Sequence, residues 1–174
     1  MKPFKDLVSF DEAKATIMKH VRPISRTERV TILDAAGRVL RGEMFSPIDV
    51  PGFARAAMDG YAVKAGDTFG AARMKPRTLK LVGKVAVGRM SDISLDEGEC
   101  AQIATGAPVP KGSDAVVQVE ETSEDGGCIK IFKPVHPGAH VSSPDSDMSR
   151  GALVLREGTV IGPAHIGVAA ALGL

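Results

Sequence analysis

Short apolar runs of strand length, separated by glycine- and proline-containing turns, occupy most of the chain between residues 46 and 143. This pattern constrains the fold most, because such runs are too short for core helices and pair readily as strands. Near the end of the region, Glu124-Asp125-Gly126-Gly127 predicts a hairpin connection. The predicted strands span residues 61–63, 79–87, 100–104, 115–120 and 128–132.

The N-terminal end has a different pattern. Ser9 and Glu12 have the spacing of a capping box, and the apolar residues that follow recur at helical spacing until Pro23 ends the helix. The alternation at 30–32 predicts a short strand, and residues 34–42 predict a short second helix with an Asp cap and a Gly stop.

The C-terminal end combines a hairpin and a helix. Residues 151–155 and 159–161 flank Arg156-Glu157-Gly158, which predicts a tight hairpin. Gly162-Pro163 then opens a final helix, because proline at the first helical position costs no hydrogen bond. We expect this helix to end at Gly173.

These patterns predict an α+β, β-rich fold in two parts. The first part joins residues 1–45 to residues 145–174, and it contains the helices and the C-terminal hairpin. The second part is a β-rich domain, residues 46–144, inserted between the two ends of the first.

The composition argues against several classes of function. The formal net charge is +1 and only 4% of the residues are aromatic, so the chain lacks the positive field and stacking surfaces of nucleic-acid binders. No apolar run is long enough to span a membrane, and the first residues do not form a signal peptide. Two cysteines without a Cys-x-x-Cys spacing fit a reducing compartment, although they could also pair with each other. We therefore expect a cytoplasmic protein without nucleic-acid or membrane partners.

Asp59-Gly60 is the first candidate for a functional site. It lies at the end of a loop with two prolines and two glycines, immediately before a predicted strand. A tight turn into the strand explains the dipeptide by itself. A long ordered loop that presents one carboxylate at a strand edge is also typical of a binding site.

Thr105-Gly106-Ala107 is the second candidate, and it follows another predicted strand. Gly106 would allow backbone N–H groups to approach a ligand beside the Thr105 hydroxyl, as in sites that hold phosphate-like oxygens. The segment is not a Walker loop, because it lacks the Gly-x-x-x-x-Gly-Lys-Ser/Thr pattern. A rigid connection fixed by Pro108 and Pro110 explains the same residues equally well.

Carboxylates at separate predicted loop ends form a third candidate. Asp114, Glu120, Asp145 and Asp147 could contribute to a site for a hard cation such as Mg²⁺, which accepts few protein ligands. A solvated surface explains Glu121 better. The metal ligands, if there are any, stay undetermined at this point.

Taken together, these segments resemble the N-terminal region of the MoeA-type molybdopterin molybdenumtransferase family, which includes the gephyrin E domain. The resemblance covers essentially the whole chain. It is carried by four matching pieces: Gly37-Arg38-Val39-Leu40, Met58-Asp59-Gly60-Tyr61-Ala62-Val63 with Pro51 and Phe53 before it, the segment from Ile103 to Glu120, and Asp147, Gly151 and Ile166 through Gly173.

The resemblance implies an elongated first domain built from both chain ends and an inserted domain with a complex, coiled β-sheet. It implies transfer of molybdenum from molybdate to adenylylated molybdopterin, with release of AMP and with Mg²⁺ as cofactor. It also implies a homodimer, for which the last helix and the first helix offer apolar faces, and a molybdopterin adenylyltransferase as a candidate partner. A non-catalytic module for dimerisation or partner binding is the alternative.

The resemblance also assigns roles to residues. Asp59, Thr105 and Asp147 match acidic and hydroxyl positions of the family motifs and are the predicted catalytic residues. The residues expected to bind the molybdopterin-type substrate are Gly60, Gly106, Ala107, Asp114 and Glu120.

The chain departs from the family pattern at several positions. Ala56 replaces a usual serine, Asp145 replaces a usual glycine, and the run 140–144 lacks the usual asparagine and arginine. In the family, a doubly wound α/β domain and a further β domain follow the equivalent of Leu174. We therefore expect this chain to be an N-terminal fragment that is inactive alone.

Overall fold

The computed structural model describes residues 7–174, so the first six residues of the predicted first domain lie outside it. The described residues form two α-helices, α1 (Phe10–His20) and α2 (Pro163–Ala171). Three 3-10 helices span Ile32–Asp34, Ala65–Thr68 and Val119–Glu121. The strands are β1 (Met44–Phe45), β2 (Arg55–Ala56), β3 (Gly60–Val63), β4 (Arg77–Val85), β5 (Glu99–Ile103), β6 (Ala115–Gln118), β7 (Thr122–Asp125), β8 (Cys128–Ile131), β9 (Val141–Ser142) and β10 (Leu153–Leu155). This content confirms the α+β, β-rich fold class.

A six-stranded sheet dominates the middle of the chain, in the order β6-β3-β5-β4-β8-β7. Only the β4–β5 pair within it is parallel. Strand β3 lies between β5 and β6, and Gly60 is the register partner of Ile103 on one side and of Gln118 on the other. This register brings the residues before β3 and after β5 to the same end of the sheet, because antiparallel neighbours run in opposite directions.

Each face of the sheet carries an apolar cluster, and β3 is buried along its whole length. Tyr61 and Val63 belong to one apolar cluster, and Ala62 between them belongs to a second cluster on the other face. This division follows from the two-residue period of a strand. It also explains why the strands appear in the sequence as nearly continuous apolar runs.

The predicted strand 115–120 is too long. Strand β6 ends at Gln118 and the 3-10 helix Val119–Glu121 follows, although the Val119 N–H still donates to the Asp59 carbonyl. The predicted hairpin at Gly126-Gly127 is confirmed, but it joins β7 to β8.

The two chain ends pair with each other. Strand β1 pairs antiparallel with β10, and Val39 forms an isolated bridge with Val160. The predicted hairpin is therefore wrong in its pairing: its two arms pair with the N-terminal part of the chain and not with each other. These contacts join the two segments that we assigned to the first domain, although the boundaries at 45 and 145 stay predictions.

Two local predictions near the N-terminus are also wrong. Residues 30–32 form no strand, and the segment 34–42 is not a helix, since the only helical residues there are the 3-10 turn Ile32–Asp34. Gly37 adopts a left-handed conformation, and its N–H donates to the Ile161 carbonyl. Pairing with the returning chain thus overrides the weak local helical pattern.

Helix α1 begins as predicted. The Ser9 side chain accepts a hydrogen bond from the Glu12 N–H, and the Glu12 carboxylate accepts one from the Ser9 N–H. None of the residues of α1 is buried. Ile17 and Met18, and Val21 just beyond the helix, are 61%, 63% and 55% exposed, so the apolar side of α1 is mostly uncovered within residues 7–174.

Helix α2 also begins as predicted, with Pro163 in its first turn. It packs against the 3-10 helix Ile32–Asp34 and buries Ala169 and Leu172. Gly173 follows its C-terminus in a left-handed conformation. The last helix is thus fixed to the N-terminal part of the chain.

Candidate functional site

Asp59 and Thr105 are in direct contact. Asp59 immediately precedes β3 and Thr105 lies two residues after β5, and the antiparallel register places both at one end of the sheet. The Asp59 Oδ1 atom accepts hydrogen bonds from the Thr105 backbone N–H at 2.7 Å and from the Thr105 Oγ1 hydroxyl at 2.8 Å. Two motifs that are 46 residues apart in the sequence therefore form one cluster.

The charge of Asp59 is stabilised by this contact. The backbone N–H of Thr105, and then its hydroxyl, hold the pKa of the Asp59 carboxyl below its ordinary value of 3.8. Both donors favour the ionised form. No residue within 7–174 donates a hydrogen bond to the other carboxylate oxygen, Oδ2, so Asp59 presents an ionised acceptor at the surface.

Gly60 is required by packing. A Cβ atom at this position would lie 1.9 Å from the Val117 carbonyl oxygen. Only glycine allows β3 and β6 to approach this closely while Asp59 stays next to the strand end. The structure therefore accounts for Gly60 by strand packing, and its role in substrate binding stays a prediction.

The Thr105-Gly106-Ala107 loop does not offer its backbone N–H groups to a ligand. They donate to the Asp59 carboxylate, the Ala56 carbonyl and the Ala104 carbonyl, respectively. The cradle of N–H groups that the sequence suggested is therefore not formed, because all three donors are already used. Gly106 has φ = +82° and Ala107 is buried, so both residues have a structural reason to be there.

A shallow groove of about 330 Å³ lies beside Asp59. Tyr61, Gln102 and Lys84 are register partners on three adjacent strands and form one row along it. Burial, and then the charge of Glu124, raise the pKa of the Tyr61 phenol, which therefore stays neutral. Lys84 forms no ion pair within residues 7–174. The row thus contains a phenol, an amide and a cation next to the Asp59 carboxylate.

Asp147 does not contact Asp59 or Thr105. Its Oδ1 atom accepts a hydrogen bond from the Arg55 Nη2 atom at 2.8 Å, and the pair is partly exposed. Arg55 is in β2, which pairs with β9 and lies next to the Thr105 loop. Arg55 was not predicted from the sequence, because an isolated arginine in an irregular loop gives no signal of its partner.

Asp114 and Glu120 lie at different ends of β3. Asp114 precedes β6 at the end remote from Asp59, and its carboxylate accepts a hydrogen bond from the Ala65 N–H at 2.7 Å. That contact fixes a turn of the backbone. Glu120 is exposed in the 3-10 helix Val119–Glu121, close in sequence to the Val119 N–H that bonds the Asp59 carbonyl.

The departures from the family pattern have structural consequences. Asp145 and His140 both have positive φ, at +64° and +55°, which is the region that glycine and asparagine adopt most readily. Ala56 is 1% exposed and packs in an apolar cluster, so it faces the core and not the groove. The loss of serine at this position therefore does not remove a hydroxyl from the groove.

A magnesium site is not formed by these residues alone. Within residues 7–174, no group of three or more His, Cys, Asp or Glu side chains is arranged to hold a metal ion. Asp147 is already paired with Arg55, and Asp59 is a single carboxylate. The residues described therefore do not fit a complete Mg²⁺ site.

Comparison with known proteins identifies the family. The family model for the MoeA N-terminal region, domains I and II, matches residues 8–173. The chain belongs to this family. A search for helices that could cross a membrane found none among the described residues.

Individual relatives are named as molybdopterin molybdenumtransferases. A molybdopterin molybdenumtransferase 2 of Mycobacterium tuberculosis is 39% identical over 160 residues, which cover 92% of this chain and 38% of that protein. A molybdopterin molybdenumtransferase of Synechococcus elongatus is 30% identical over 148 residues, which cover 84% of this chain and 37% of that protein.

A crystal structure of a molybdopterin biosynthesis MoeA protein from Pyrococcus horikoshii superimposes with a TM-score of 0.89 at 34% identity. The match covers 97% of this chain and 44% of that one. The chain thus spans about two fifths of the length of the relatives that it matches.

Proposed function

We propose that this chain forms one wall of the substrate site of an enzyme that inserts molybdenum from molybdate into adenylylated molybdopterin and releases AMP. Membership of the MoeA N-terminal family and the names of the relatives support a role in molybdenum-cofactor biosynthesis. The observation that carries the proposal is the Asp59–Thr105 cluster, because it joins two separate family motifs in one polar site.

The cluster has a defined chemical capacity. Thr105 donates its hydroxyl hydrogen to Asp59, so the Thr105 oxygen retains lone pairs that can accept a hydrogen bond from substrate. The Oδ2 atom of Asp59 can accept a second one. The pair therefore orients a substrate that has N–H or O–H donors, of which a pterin ring and a ribose each have several.

The remaining part of the site would come from elsewhere in the complete protein, by which we mean this chain with any sequence joined to it in its gene. The groove beside Asp59 is open and shallow, whereas tight substrate sites enclose most of the ligand surface. We therefore propose that residues 1–174 alone do not catalyse insertion. A molybdopterin adenylyltransferase, which would supply the substrate, remains a predicted partner.

A non-catalytic module is the second candidate, and α1 is the observation that favours it. An exposed apolar helix face is typical of an interaction surface, and the apolar residues of α1 are mostly exposed. Such a surface is compatible with a dimerising role inside an enzyme as well as with a chain that only binds partners.

Reconstitution separates these candidates. The complete protein and the chain 1–174 would each be incubated with adenylylated molybdopterin, molybdate and Mg²⁺, and AMP release and activation of an apo-molybdoenzyme would be measured. We expect both products with the complete protein and neither with residues 1–174. If the complete protein binds molybdopterin yet releases no AMP, the non-catalytic module would explain the protein better than the molybdenum-inserting enzyme. If residues 1–174 turn over at the full rate, the proposal that the site is incomplete is wrong.

A further inference from the structure

Arg55 is fixed to the Thr105 loop through the backbone of its own strand. In β2, the Ala56 N–H donates to the Ala107 carbonyl at 3.0 Å, and the Ala56 carbonyl accepts from the Gly106 N–H at 2.8 Å. Arg55 itself bridges to Pro108. The Cα atom of Arg55 therefore cannot move relative to the loop that carries Thr105 without breaking these bonds.

The side chain of Arg55 is fixed to a different segment. Its Nη2 atom donates to the Asp147 Oδ1 atom at 2.8 Å and is 3.4 Å from the Ser146 hydroxyl oxygen. The Ser146 hydroxyl also donates to Asp147 Oδ1 at 3.2 Å. Arg55 is thus the residue through which the Asp147 carboxylate is tied to the loop of the Asp59–Thr105 cluster.

The negative charges around the site are balanced in part by the Arg55 cation. Asp59 and Asp147 are both exposed carboxylates, and molybdate and the phosphates of the proposed substrate are anions. Two uncompensated carboxylates would repel these anions, with a strength that depends on salt because both are exposed. Arg55 cancels the charge of Asp147 and fixes the direction of its carboxylate, as arginine does well because its donors are rigidly arranged.

The strand register offers a second position for this cation. Ser142 in β9 is the register partner of Arg55 in β2. Directly paired residues project from the same face of a strand pair, so an arginine at position 142 would start from the same face as Arg55. In this chain, β2 supplies the cation next to Asp147.

We propose that Arg55 is a positioning residue, which holds Asp147 against the Thr105 loop and neutralises it so that an anionic substrate can approach. The proposal rests on the proposed function. It requires a cation at this strand pair, whichever of the two strands carries it.

The test moves the arginine from position 55 in β2 to position 142 in β9 of the complete protein. We would compare Arg55→Ser, Ser142→Arg and the double variant for kcat, KM for molybdate and melting temperature. Arg41→Ser is the matched control, because Arg41 also forms an exposed ion pair, with Glu157 at 2.6 Å, in the part of the chain remote from Thr105. Exposed ion pairs contribute little to stability, so all four variants should melt close to the parent.

We expect Arg55→Ser to lose about tenfold or more in kcat/KM, the double variant to recover most of that loss, and Arg41→Ser to retain the parental rate. A parental rate in Arg55→Ser would overturn the inference, and so would a double variant as slow as Arg55→Ser alone.

A second measurement separates this inference from the proposed function. The amides of Asp147 and Met148 both donate to the Val50 carbonyl, and their hydrogen exchange can be followed without substrate. If the complete protein inserts no molybdenum, the proposed function fails, but Arg55→Ser should still accelerate exchange at these amides and the double variant should slow it again. Unchanged exchange in Arg55→Ser would show that Arg55 does not position this segment.

Discussion

Substitution of Gly60 by alanine tests whether close strand packing is the reason for glycine at the start of β3. The new Cβ atom would lie 1.9 Å from the Val117 carbonyl oxygen, whereas real Cβ atoms essentially never approach within 3.0 Å. Strands β3 and β6 would have to separate by about 1 Å, which is enough to break local sheet hydrogen bonds worth about 1 kcal/mol each. With the strain of overpacking added, we expect a loss of about 3 kcal/mol or more in the free energy of unfolding.

Two other glycines provide matched controls. Gly106 has φ = +82°, but a Cβ atom added there would meet no other atom within 4 Å, so Gly106→Ala should cost only about 1–2 kcal/mol of backbone strain. Gly66 has neither a close neighbour nor a positive φ, and Gly66→Ala should change stability by less than about 1 kcal/mol. Urea denaturation followed by circular dichroism gives all three values. A Gly60→Ala protein as stable as Gly66→Ala would refute the packing argument.

Two further predictions concern the pH dependence of stability and the oligomeric state. The pKa of Asp59 is lowered in the folded state, so its charge stabilises the fold fully above the ordinary value of 3.8. This contribution is lost as the pH falls through the lower folded pKa. The difference in melting temperature between the parent and Asp59→Asn should therefore be constant near neutral pH and disappear in acid, and a difference independent of pH would contradict this. The exposed apolar side of α1 should be covered by the same surface of a second copy. Sedimentation at tens of micromolar, an assumed working range, should therefore show a homodimer, and Met18→Glu should weaken it. A monomer under these conditions would count against this dimer.

Local signals in the sequence were sufficient for the elements that depend on local interactions. The capping box at Ser9 and Glu12 predicted the start of α1, because both hydrogen bonds are made within four residues. The apolar run of β3 predicted a strand, because both of its neighbours bury it completely.

Elements that depend on distant partners could not be predicted in the same way. The segment around Val39 resembles a short helix, but it pairs with Val160, which is more than one hundred residues away. The same holds for the site. The Asp59 and Thr105 motifs were found separately, but their contact follows from the β3–β5 register.

Residue types also do not reveal which hydrogen-bond donors and acceptors already have a partner within the chain. Gly106 suggested N–H groups open to a ligand, yet those N–H groups donate to other parts of the chain. Asp114 suggested a ligand carboxylate, yet it accepts a hydrogen bond from Ala65. Arg55 gave no signal, because the Asp147 that it binds is ninety-two positions away.

The insertion rates of Asp59 and Thr105 variants test the central claim most directly, because the cluster must act on substrate and not only on the fold. In the complete protein, Asp59→Asn keeps an oxygen acceptor for Thr105 but loses the charge, Thr105→Val removes only the hydroxyl, and Thr105→Ser restores it. We expect Asp59→Asn and Thr105→Val each to insert molybdenum about tenfold more slowly or worse, and Thr105→Ser to stay near the parental rate. Thr105→Val should melt close to the parent, and Asp59→Asn should melt lower only by the small, pH-dependent gap described above. If Asp59→Asn and Thr105→Val instead melt several degrees lower and their folded fraction inserts molybdenum at the parental rate, the cluster is a structural turn and the account of the site is wrong.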